Sequence, residues 1–397
     1  MDGAGHGGAT PLVPPERAGH GGTTPLVPPE RQARVDLGAI TGNVAALCER
    51  VRGSQVMAVV KADGYGHGMV PAARAALAGG AGWLGTADLD EALALRAAGI
   101  TAPVLCLMAM GEPADAIRAG IDVTAASVAV VTRVAEAAAR AGVPARLHLE
   151  ADTGLSRGGA TRADWPAVVG AALAAQAAGR LRVAGLWSHF ACADLPGHPS
   201  IAAQLTAFAD AVAHAEKAGV TPEVRHIANT AAALTVPESR LDLVRFGGAL
   251  YGISTLPGGA PAWLRPVMTL RARLALVKRV PPGSGVSYGH RYVTERETTL
   301  GLVPVGYADG VPRAAAGLPL VSARGRRWPI AGTVCMDQFV VDFGDEPVTA
   351  GEEVVLFGPG ADGEPTAQEW GEALGTISYE IVTGIGARVA RTYPGGR

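Results

Sequence analysis

Residues 56–68 read VMAVVKADGYGHG, an apolar run that leads to Lys61 and passes directly into a glycine-rich turn. The run predicts a buried β-strand, and the turn places the lysine at the end of that strand. In barrels of alternating strands and helices, residues at strand ends face the functional site. The stretch therefore predicts a strand of an α/β fold and a candidate functional lysine.

The same pattern recurs over residues 39–260. Apolar runs alternate there with alanine-rich segments of helical length, such as Val128–Ala141 and Ile201–Ala218. The predicted strands are Gln55–Lys61, Trp83–Thr86, Pro103–Met108, Asp122–Ala125, Arg146–Glu150, Leu181–Ser188, Val224–Ile227 and Leu241–Arg245. About eight strand–helix units predict a closed (β/α)8 barrel of the TIM type. An open doubly wound sheet is the alternative, although the first strand carries no GxGxxG turn for a dinucleotide.

A different pattern covers residues 261–397 and indicates a mainly β domain. Its predicted strands, joined by short turns with glycine or proline, are Met268–Val280, Thr298–Val305, Leu318–Ser322, Trp328–Ala331, Gln338–Phe343 and Glu353–Phe357. The boundary is expected within Leu256–Pro266, which is rich in proline and glycine. Residues 32–38 are expected to form an N-terminal strand, with the β domain as its candidate partner.

Residues 1–31 contain a tandem duplication. Residues 4–17 read AGHGGATPLVPPER, and residues 18–31 read AGHGGTTPLVPPER. Because the segment is rich in glycine and proline and poor in periodic apolar residues, it is expected to be a disordered arm. A docking arm is the alternative.

Composition and charge limit the kinds of partner and the cell compartment that we expect for this chain. The 397 residues carry a net charge of −2 and no basic block, which gives little support to a nucleic acid or an anionic membrane as partner. No apolar run reaches the roughly 18 residues of a membrane span. The four cysteines form no CxxC pair and no metal-ligand cluster, so a cytoplasmic protein without a metal site is expected. No secretion signal is expected, because the first residues lack a positively charged start followed by an apolar stretch.

Lys61 stands out because lysine is rare in this chain. Lys61, Lys217 and Lys278 are the three lysines, and the other 31 of the 34 basic residues are arginines. Lys217 suits the C-terminal end of a helix, and Lys278 is expected to be solvated. A solvated strand-end lysine is also the alternative for Lys61, but the scarcity of lysine elsewhere favours a chemical role.

Further motifs follow Lys61 along the chain. They read DTGLSRGG, GLWSHFACAD, IANTAAAL, RFGGALYG, GVSYGHRY, VGYADG, GTVCMDQF and ISYEIV. With AVVKADGYGHG, and in this order over residues 33–395, they resemble the alanine racemases, which use pyridoxal 5′-phosphate and join a barrel to a β domain. Each motif alone is only suggestive, but their combination is highly specific.

The resemblance implies a set of cofactor contacts. Lys61 would hold the cofactor covalently, Arg245 would donate to its ring nitrogen, and His189 would link that arginine to the catalytic tyrosine. Because an arginine does not easily give up its proton, the ring nitrogen would stay unprotonated, which favours racemisation over side reactions. Structural roles at strand ends remain the alternative for His189 and Arg245. The implied phosphate contacts are Tyr65, Asn229, Thr230, Gly247, Gly248 and Tyr379.

The resemblance also implies how the substrate is handled. Tyr288 would be the second catalytic base, and Arg157 would orient the substrate carboxylate and this tyrosine. Tyr307 resembles an entrance residue, and Met336 and Asp337 resemble residues that line the substrate end. Because the tyrosine reaches the partner's barrel in the family, a homodimer with shared active sites is implied.

One position departs from the family pattern. The residue two before Asp152 is often a carbamylated lysine that orients the arginine, but here it is Glu150. We hypothesise that the Glu150 carboxylate supplies the negative charge and anchors Arg157 directly. Thr230 stands where serine is usual, a change that keeps the hydroxyl group.

The resemblance therefore implies an isomerase that interconverts L-alanine and D-alanine and supplies D-alanine for peptidoglycan. A serine-preferring or broad-range racemase on the same fold remains open, because the sequence does not display pocket width. Arg245 at the ring nitrogen argues against a decarboxylase. A non-catalytic pyridoxal-phosphate-binding protein is the alternative of another class, and Tyr288 argues against it.

Overall fold

The structure, a computed structural model, describes residues 30–394. The tandem duplication predicted to be a disordered arm lies outside the described residues, apart from its last two, Glu30 and Arg31. Within the described part of the chain, no helix is long and apolar enough to cross a membrane.

The first part of the chain alternates strands and helices. In chain order these are β1 (Arg31–Val35), α1 (Leu37–Arg50), β2 (Gln55–Val59), α2 (Met69–Ala78), β3 (Trp83–Thr86), α3 (Leu89–Ala97), β4 (Val104–Cys106), α4 (Ala114–Arg118), β5 (Asp122–Ala125), α5 (Val128–Ala141), β6 (Ala145–Glu150), α6 (Trp165–Ala177), β7 (Leu181–Trp187), α7 (Pro199–Ala218), β8 (Val224–His226), α8 (Thr230–Thr235) and β9 (Leu243–Phe246). Between β2 and α2, Lys61–Tyr65 forms a turn whose inner residues have left-handed backbone angles.

Strands β2 to β9 form one parallel sheet that curves into a nearly closed barrel. The strand order is β8-β7-β6-β5-β4-β3-β2-β9. The two ends of the sheet are joined by backbone bonds, in which Asp242 N–H donates to Arg225 C=O over 3.3 Å and Arg245 N–H donates to Ala228 C=O over 3.0 Å. The predicted (β/α)8 barrel is therefore confirmed, and an open doubly wound sheet is excluded.

Short polar side chains fix where several barrel helices begin. Asp36, Asp88, Ser127 and Asn229 each accept a hydrogen bond from a backbone N–H in the first turn of the following helix. These caps set the length of the loops between strand ends and helices, and those loops build the site. The cap at Asp36 also ends the N-terminal strand at Val35, before residue 38.

The second part of the chain is mainly β with two short helices, as predicted for the fold class. Its elements are β10 (Met268–Arg273), β11 (Leu276–Val280), β12 (Gly285–Val286), β13 (Tyr292–Val293), β14 (Thr298–Val303), β15 (Val321–Ala323), β16 (Arg326–Trp328), β17 (Ile330–Ala331), β18 (Phe339–Asp342), β19 (Glu353–Phe357), α9 (Ala367–Leu374), α10 (Ser378–Thr383) and β20 (Ala390–Thr392).

Two strands predicted as continuous are divided in the structure. Met268–Val280 forms β10 and β11, which lie in a six-stranded sheet (β16-β15-β19-β10-β1-β20) and a four-stranded sheet (β11-β14-β18-β17) respectively. Trp328–Ala331 forms β16 and β17, separated by Pro329, which has no N–H for a strand ladder. The strand predicted to begin at Leu318 begins at Val321.

The N-terminal strand lies inside the six-stranded sheet of the β domain. Ala33 of β1 is paired with Leu270 of antiparallel β10 and with Arg391 of parallel β20. The two ends of the described chain are therefore neighbours in one sheet.

Candidate active site

A cavity of about 820 Å³ opens at the carboxyl ends of the barrel strands. The structure brings ten of the predicted residues to its lining, together with Glu150: Lys61, Tyr65, Arg157, His189, Asn229, Thr230, Arg245, Gly247, Gly248 and Tyr379. All the cofactor contacts implied by the sequence therefore face one space, although they come from separate loops of the barrel and from α10.

Lys61 lies at the first turn after β2, and its side chain is half-buried in the cavity wall. Burial, together with the charge of Arg157, lowers the pKa of the Lys61 ammonium from its ordinary value. A lower pKa increases the share of neutral amine, which is the form that can act as a nucleophile or a base.

One end of the cavity is formed by two glycines against two tyrosine hydroxyls. A Cβ on Gly247 would lie 2.4 Å from Tyr65 Oη, and a Cβ on Gly248 would lie 2.3 Å from Tyr379 Oη, so neither position admits a larger residue. Burial raises the pKa of Tyr65 and raises that of Tyr379 to about 12, which keeps both phenols neutral donors at pH 7. Thr230 opens α8 beside them. Phenol donors with the N–H groups of a helix start suit an anion such as a phosphate monoester.

Arg245 is buried in the wall of the same cavity and is held by four acceptors. Nη1 donates to His226 Nδ1 over 2.9 Å, and Nη2 donates to the carbonyls of Ser188 and Ile227 and to His189 Nδ1 over 2.8 to 3.1 Å. Within the described residues these bonds use only the two Nη atoms, so the Nε–H of this cavity-lining arginine has no acceptor in the protein. Burial lowers the pKa of Arg245 to about 9, which leaves it a cation at pH 7.

His189 follows β7 and accepts from Arg245 through Nδ1. Because a guanidinium can only donate, the neutral imidazole must carry its proton on Nε2. Burial and the charge of Arg245 lower the pKa of His189 to about 3, so the ring stays neutral at pH 7. Its Nε2–H is a donor for a group that enters the cavity.

A chain of buried polar groups continues behind Arg245, and the sequence analysis missed it. His226 accepts at Nδ1 and therefore donates from Nε2 to His148 Nδ1 over 3.0 Å, and His148 donates from Nε2 to Asp122 Oδ2 over 3.1 Å. Burial would raise the pKa of Asp122, but the hydrogen bonds that it accepts from His148 and Arg146 lower the pKa overall. A polar residue inside an otherwise apolar strand was the signal that could have indicated this chain, because a buried imidazole requires a hydrogen-bond partner.

Glu150 and Arg157 both line the cavity, but the hypothesis of direct anchoring is wrong. No salt bridge joins them in residues 30–394, and Arg157 acts on Glu150 only as a nearby charge. The glutamate stem is short, and its carboxylate instead packs on the loop backbone, where a Cβ on Gly158 would lie 3.1 Å from Oε1. Burial raises the pKa of Glu150 to about 6.

The predicted residues of the β domain lie outside this cavity, on an exposed face that we call the tyrosine face: Tyr288, Tyr307, Met336 and Asp337. Thr333 donates to Tyr288 C=O over 3.1 Å, and Tyr307 N–H donates to Cys335 C=O over 3.0 Å. These bonds hold the loops together, yet 74% of the Tyr288 surface remains exposed. Within one chain, the structure does not bring Tyr288 to Lys61.

Comparison with known proteins gives a consistent family. The model of the alanine racemase N-terminal domain matches residues 35–255, and that of the C-terminal domain matches residues 267–393. The alanine racemase of Thermobifida fusca is 62% identical over 366 residues, which are 92% of this chain and 98% of that protein.

Solved structures of alanine racemases are also similar to this chain in sequence and fold. The alanine racemase of Streptomyces lavendulae, a D-cycloserine producer, is 56% identical with a TM-score of 0.91 and coverage of 94% of this chain and 98% of that chain. The alanine racemase of Bacillus anthracis with bound L-Ala-P is 35% identical with a TM-score of 0.84 and coverage of 92% and 95%. Because both domain models and these relatives span most of the sequence, the chain belongs to the alanine racemase family.

Proposed function

We propose that this protein interconverts L-alanine and D-alanine with pyridoxal 5′-phosphate as its cofactor. The observation that carries the proposal is that Lys61, Arg245 and the cradle of two glycines and two tyrosines line one cavity. When bound, the cofactor withdraws electrons from the substrate and so acidifies the hydrogen on its α-carbon.

The residues of the cavity fit this cofactor. Gly247 and Gly248, with the neutral phenols of Tyr65 and Tyr379, would hold the phosphate, since a Cβ at either glycine would fill the space. The Lys61 amine would attach the cofactor covalently, and it would become a free amine, able to carry a proton, when the amino group of the substrate takes its place. The Nε–H left on Arg245 would face the ring nitrogen, and a bound arginine keeps its proton.

Two bases would move the proton at the substrate α-carbon. In the L to D direction Tyr288 takes the proton from one face and Lys61 delivers one to the other face; the reverse reaction exchanges these roles. Bases on opposite faces invert the centre without turning the substrate over. The Nε2–H of His189 would stabilise the deprotonated phenol, and Arg157 would orient the substrate carboxylate.

The mechanism requires a homodimer in which each tyrosine face covers the cavity of the other subunit. Tyr288 and Met336 are exposed on the tyrosine face, and Met108 and Met110, both more than half exposed, line the cavity. Exposed large apolar side chains on both surfaces are typical of an interface. A two-fold dimer would bring the partner subunit's Tyr288 to Lys61 twice.

The proposed role is supply of D-alanine for peptidoglycan in the bacterial cytoplasm. Membership in the alanine racemase family and the bacterial origin of the relatives support this role. Alanine is favoured over serine as the substrate by the same membership.

The test is to incubate the purified protein with pyridoxal phosphate and L-alanine and to measure D-alanine with D-amino-acid oxidase, with L-serine in parallel. D-Alanine should form rapidly and should be lost in Lys61→Ala and in Tyr288→Phe. Lys217→Ala, at the end of α7 and absent from the cavity lining, is the matched control and should retain full activity. Faster turnover of serine than of alanine would favour a serine-preferring racemase, and similar turnover of both would favour a broad-range racemase. Cofactor binding without turnover would favour a binding protein.

A further inference from the structure

The turn after Lys61 has an unusual backbone. Ala62, Asp63 and Tyr65 have φ angles of 53°, 51° and 53°, and the glycines at 64 and 66 have φ angles of 64° and 79°. Five consecutive residues therefore lie at positive φ, which is sterically unfavourable for the three that carry a Cβ. Such a conformation persists only when surrounding contacts hold it.

Part of the support is local. Gly64 N–H donates to Val60 C=O over 2.8 Å, and Gly66 N–H donates to Ala62 C=O over 2.9 Å. The Asp63 carboxylate accepts from Met69 N–H over 2.8 Å, which joins the turn to the start of α2. These bonds close the turn but do not attach it to the rest of the site.

Attachment to the β domain comes from Arg391 in β20 and from Tyr393, which follows that strand. Arg391 Nε donates to Gly66 C=O over 3.1 Å, and Tyr393 Oη donates to His67 C=O over 3.1 Å. The approach is close, because a Cβ on Gly68 would lie 2.0 Å from Tyr393 Oη. Two side chains from the end of the chain thus hold the far side of the turn.

The same guanidinium also binds the loop that follows α10. Nη1 of Arg391 donates to the carbonyls of Gly386 and Val389, and Nη2 donates to that of Ile385. Helix α10 carries Tyr379 and packs directly on the turn, where a Cβ on Gly66 would lie 2.5 Å from Val382 C=O. Arg391 therefore connects the segment with the lysine to the segment with a tyrosine of the glycine–tyrosine cradle.

We infer that Arg391 is a positioning residue that fixes Lys61 relative to Tyr379, so that one cofactor molecule can reach both. The inference rests on the proposed role of Lys61 in holding pyridoxal phosphate. A planar guanidinium can serve four carbonyls in two segments at once, whereas an ammonium group has three donors on a flexible stem. Tyr393 supports the same turn through its single hydroxyl bond.

The test compares Arg391→Lys, which keeps the charge, and Tyr393→Phe, which removes one hydroxyl, with the wild type. Arg273→Lys is the matched control, since Arg273 lies in the same sheet and donates to Gly351 C=O within the β domain. The readouts are the Kd of pyridoxal phosphate, the fraction of Lys61 labelled after borohydride reduction, and the Tm of the cofactor-free protein.

We expect Arg391→Lys to raise the Kd about tenfold and Tyr393→Phe to raise it about threefold. Arg273→Lys should leave the Kd unchanged and lower the Tm less than Arg391→Lys does, because Arg273 donates to a single exposed carbonyl. Equal Kd values in Arg391→Lys and wild type would overturn the inference. Equal increases of the Kd in Arg391→Lys and Arg273→Lys would overturn it as well. Either outcome would leave the proposed function intact. Absence of label on Lys61 in the wild type would overturn the proposed function and this inference with it.

Discussion

The guanidinium of Arg245 and the carboxylate of Asp122 lie at the two ends of one hydrogen-bonded chain through the barrel interior. His226 and His148 occupy the positions between them, and the direction of donation follows because arginine only donates and a carboxylate only accepts. The charge that faces the cavity is thereby connected, through two imidazole rings, to the carboxylate at the start of β5. Such a chain polarises each of its bonds.

Asp122→Asn tests whether this chain supports the site. The amide keeps an acceptor for His148 but removes the negative charge, so we expect turnover of L-alanine to fall about tenfold and the Tm to fall by several degrees. Asp122 and Glu223 both form salt bridges with Arg146, but only Asp122 belongs to the hydrogen-bonded chain to Arg245, so Glu223→Gln is the matched control. Equal losses of turnover in the two variants would contradict a role for the buried chain.

Glu150→Gln tests the residue that departs from the family pattern. Because burial raises the pKa of Glu150 to about 6, its carboxylate is charged above that pH and becomes neutral below it. We expect kcat/KM of the wild type to fall as the pH decreases through about 6, and Glu150→Gln to lack this step and to be several-fold slower at higher pH. The measurement is a pH profile of D-alanine formation. Glu136→Gln, at an exposed position on α5, is the control and should keep the wild-type pH profile. An unchanged pH profile in Glu150→Gln would show that the charge of the Glu150 carboxylate has no part in the mechanism.

His67 provides a prediction on stability. Burial lowers its pKa to about 4, below its ordinary value of about 6.5 in an unfolded chain. Between these values the unfolded state binds a proton that the folded state does not, so the free energy of unfolding falls as the pH decreases through this window, by about 1.4 kcal/mol per pH unit. The free energy of unfolding of the cofactor-free protein can be measured by urea denaturation at several pH values between these two. Its change per pH unit should be smaller by this amount in His67→Asn than in the wild type. The same slope in variant and wild type would show that His67 binds protons equally in both states.

Gly248→Ala tests the glycine–tyrosine cradle. A Cβ there would lie 2.3 Å from Tyr379 Oη, so the phenol must move and the Kd of pyridoxal phosphate should rise about tenfold or more. Gly42→Ala is the control, because its Cβ in α1 would meet nothing within 4 Å and should leave the Kd unchanged. Titration of both cofactor-free variants measures this, and equal affinities would show that the cradle does not hold the cofactor.

The barrel was predictable from the sequence, whereas part of the β domain was not. A parallel strand with helices on one face and the barrel core on the other is a short apolar run, and Asp122–Ala125 is predicted with its observed bounds. Met268–Val280 also looks like one strand, yet it changes sheets at Leu274 and Ala275, which differ in no visible way from their neighbours. Sheet membership depends on distant partners such as β1 and β14, and a local pattern does not record them.

The site residues likewise include some that the sequence predicted and others that it did not. Motifs that are continuous in sequence, such as the turn after Lys61 and the pair Gly247–Gly248, were identifiable because each contains its own turn chemistry. The chain of Asp122, His148 and His226 was missed, since it joins single residues of three strands. The catalytic and binding roles given to the site residues remain predictions.

The shared active site is tested most directly by combining two inactive variants. Lys61→Ala and Tyr288→Phe should each form no D-alanine alone. When the two chains are co-expressed, a mixed dimer has one site with an intact Lys61 and the partner subunit's Tyr288. Random pairing should then restore about a quarter of the wild-type rate of D-alanine formation. A co-expressed mixture as inactive as its parents, beside an active wild type, would contradict a site built from Lys61 of one chain and the partner's Tyr288.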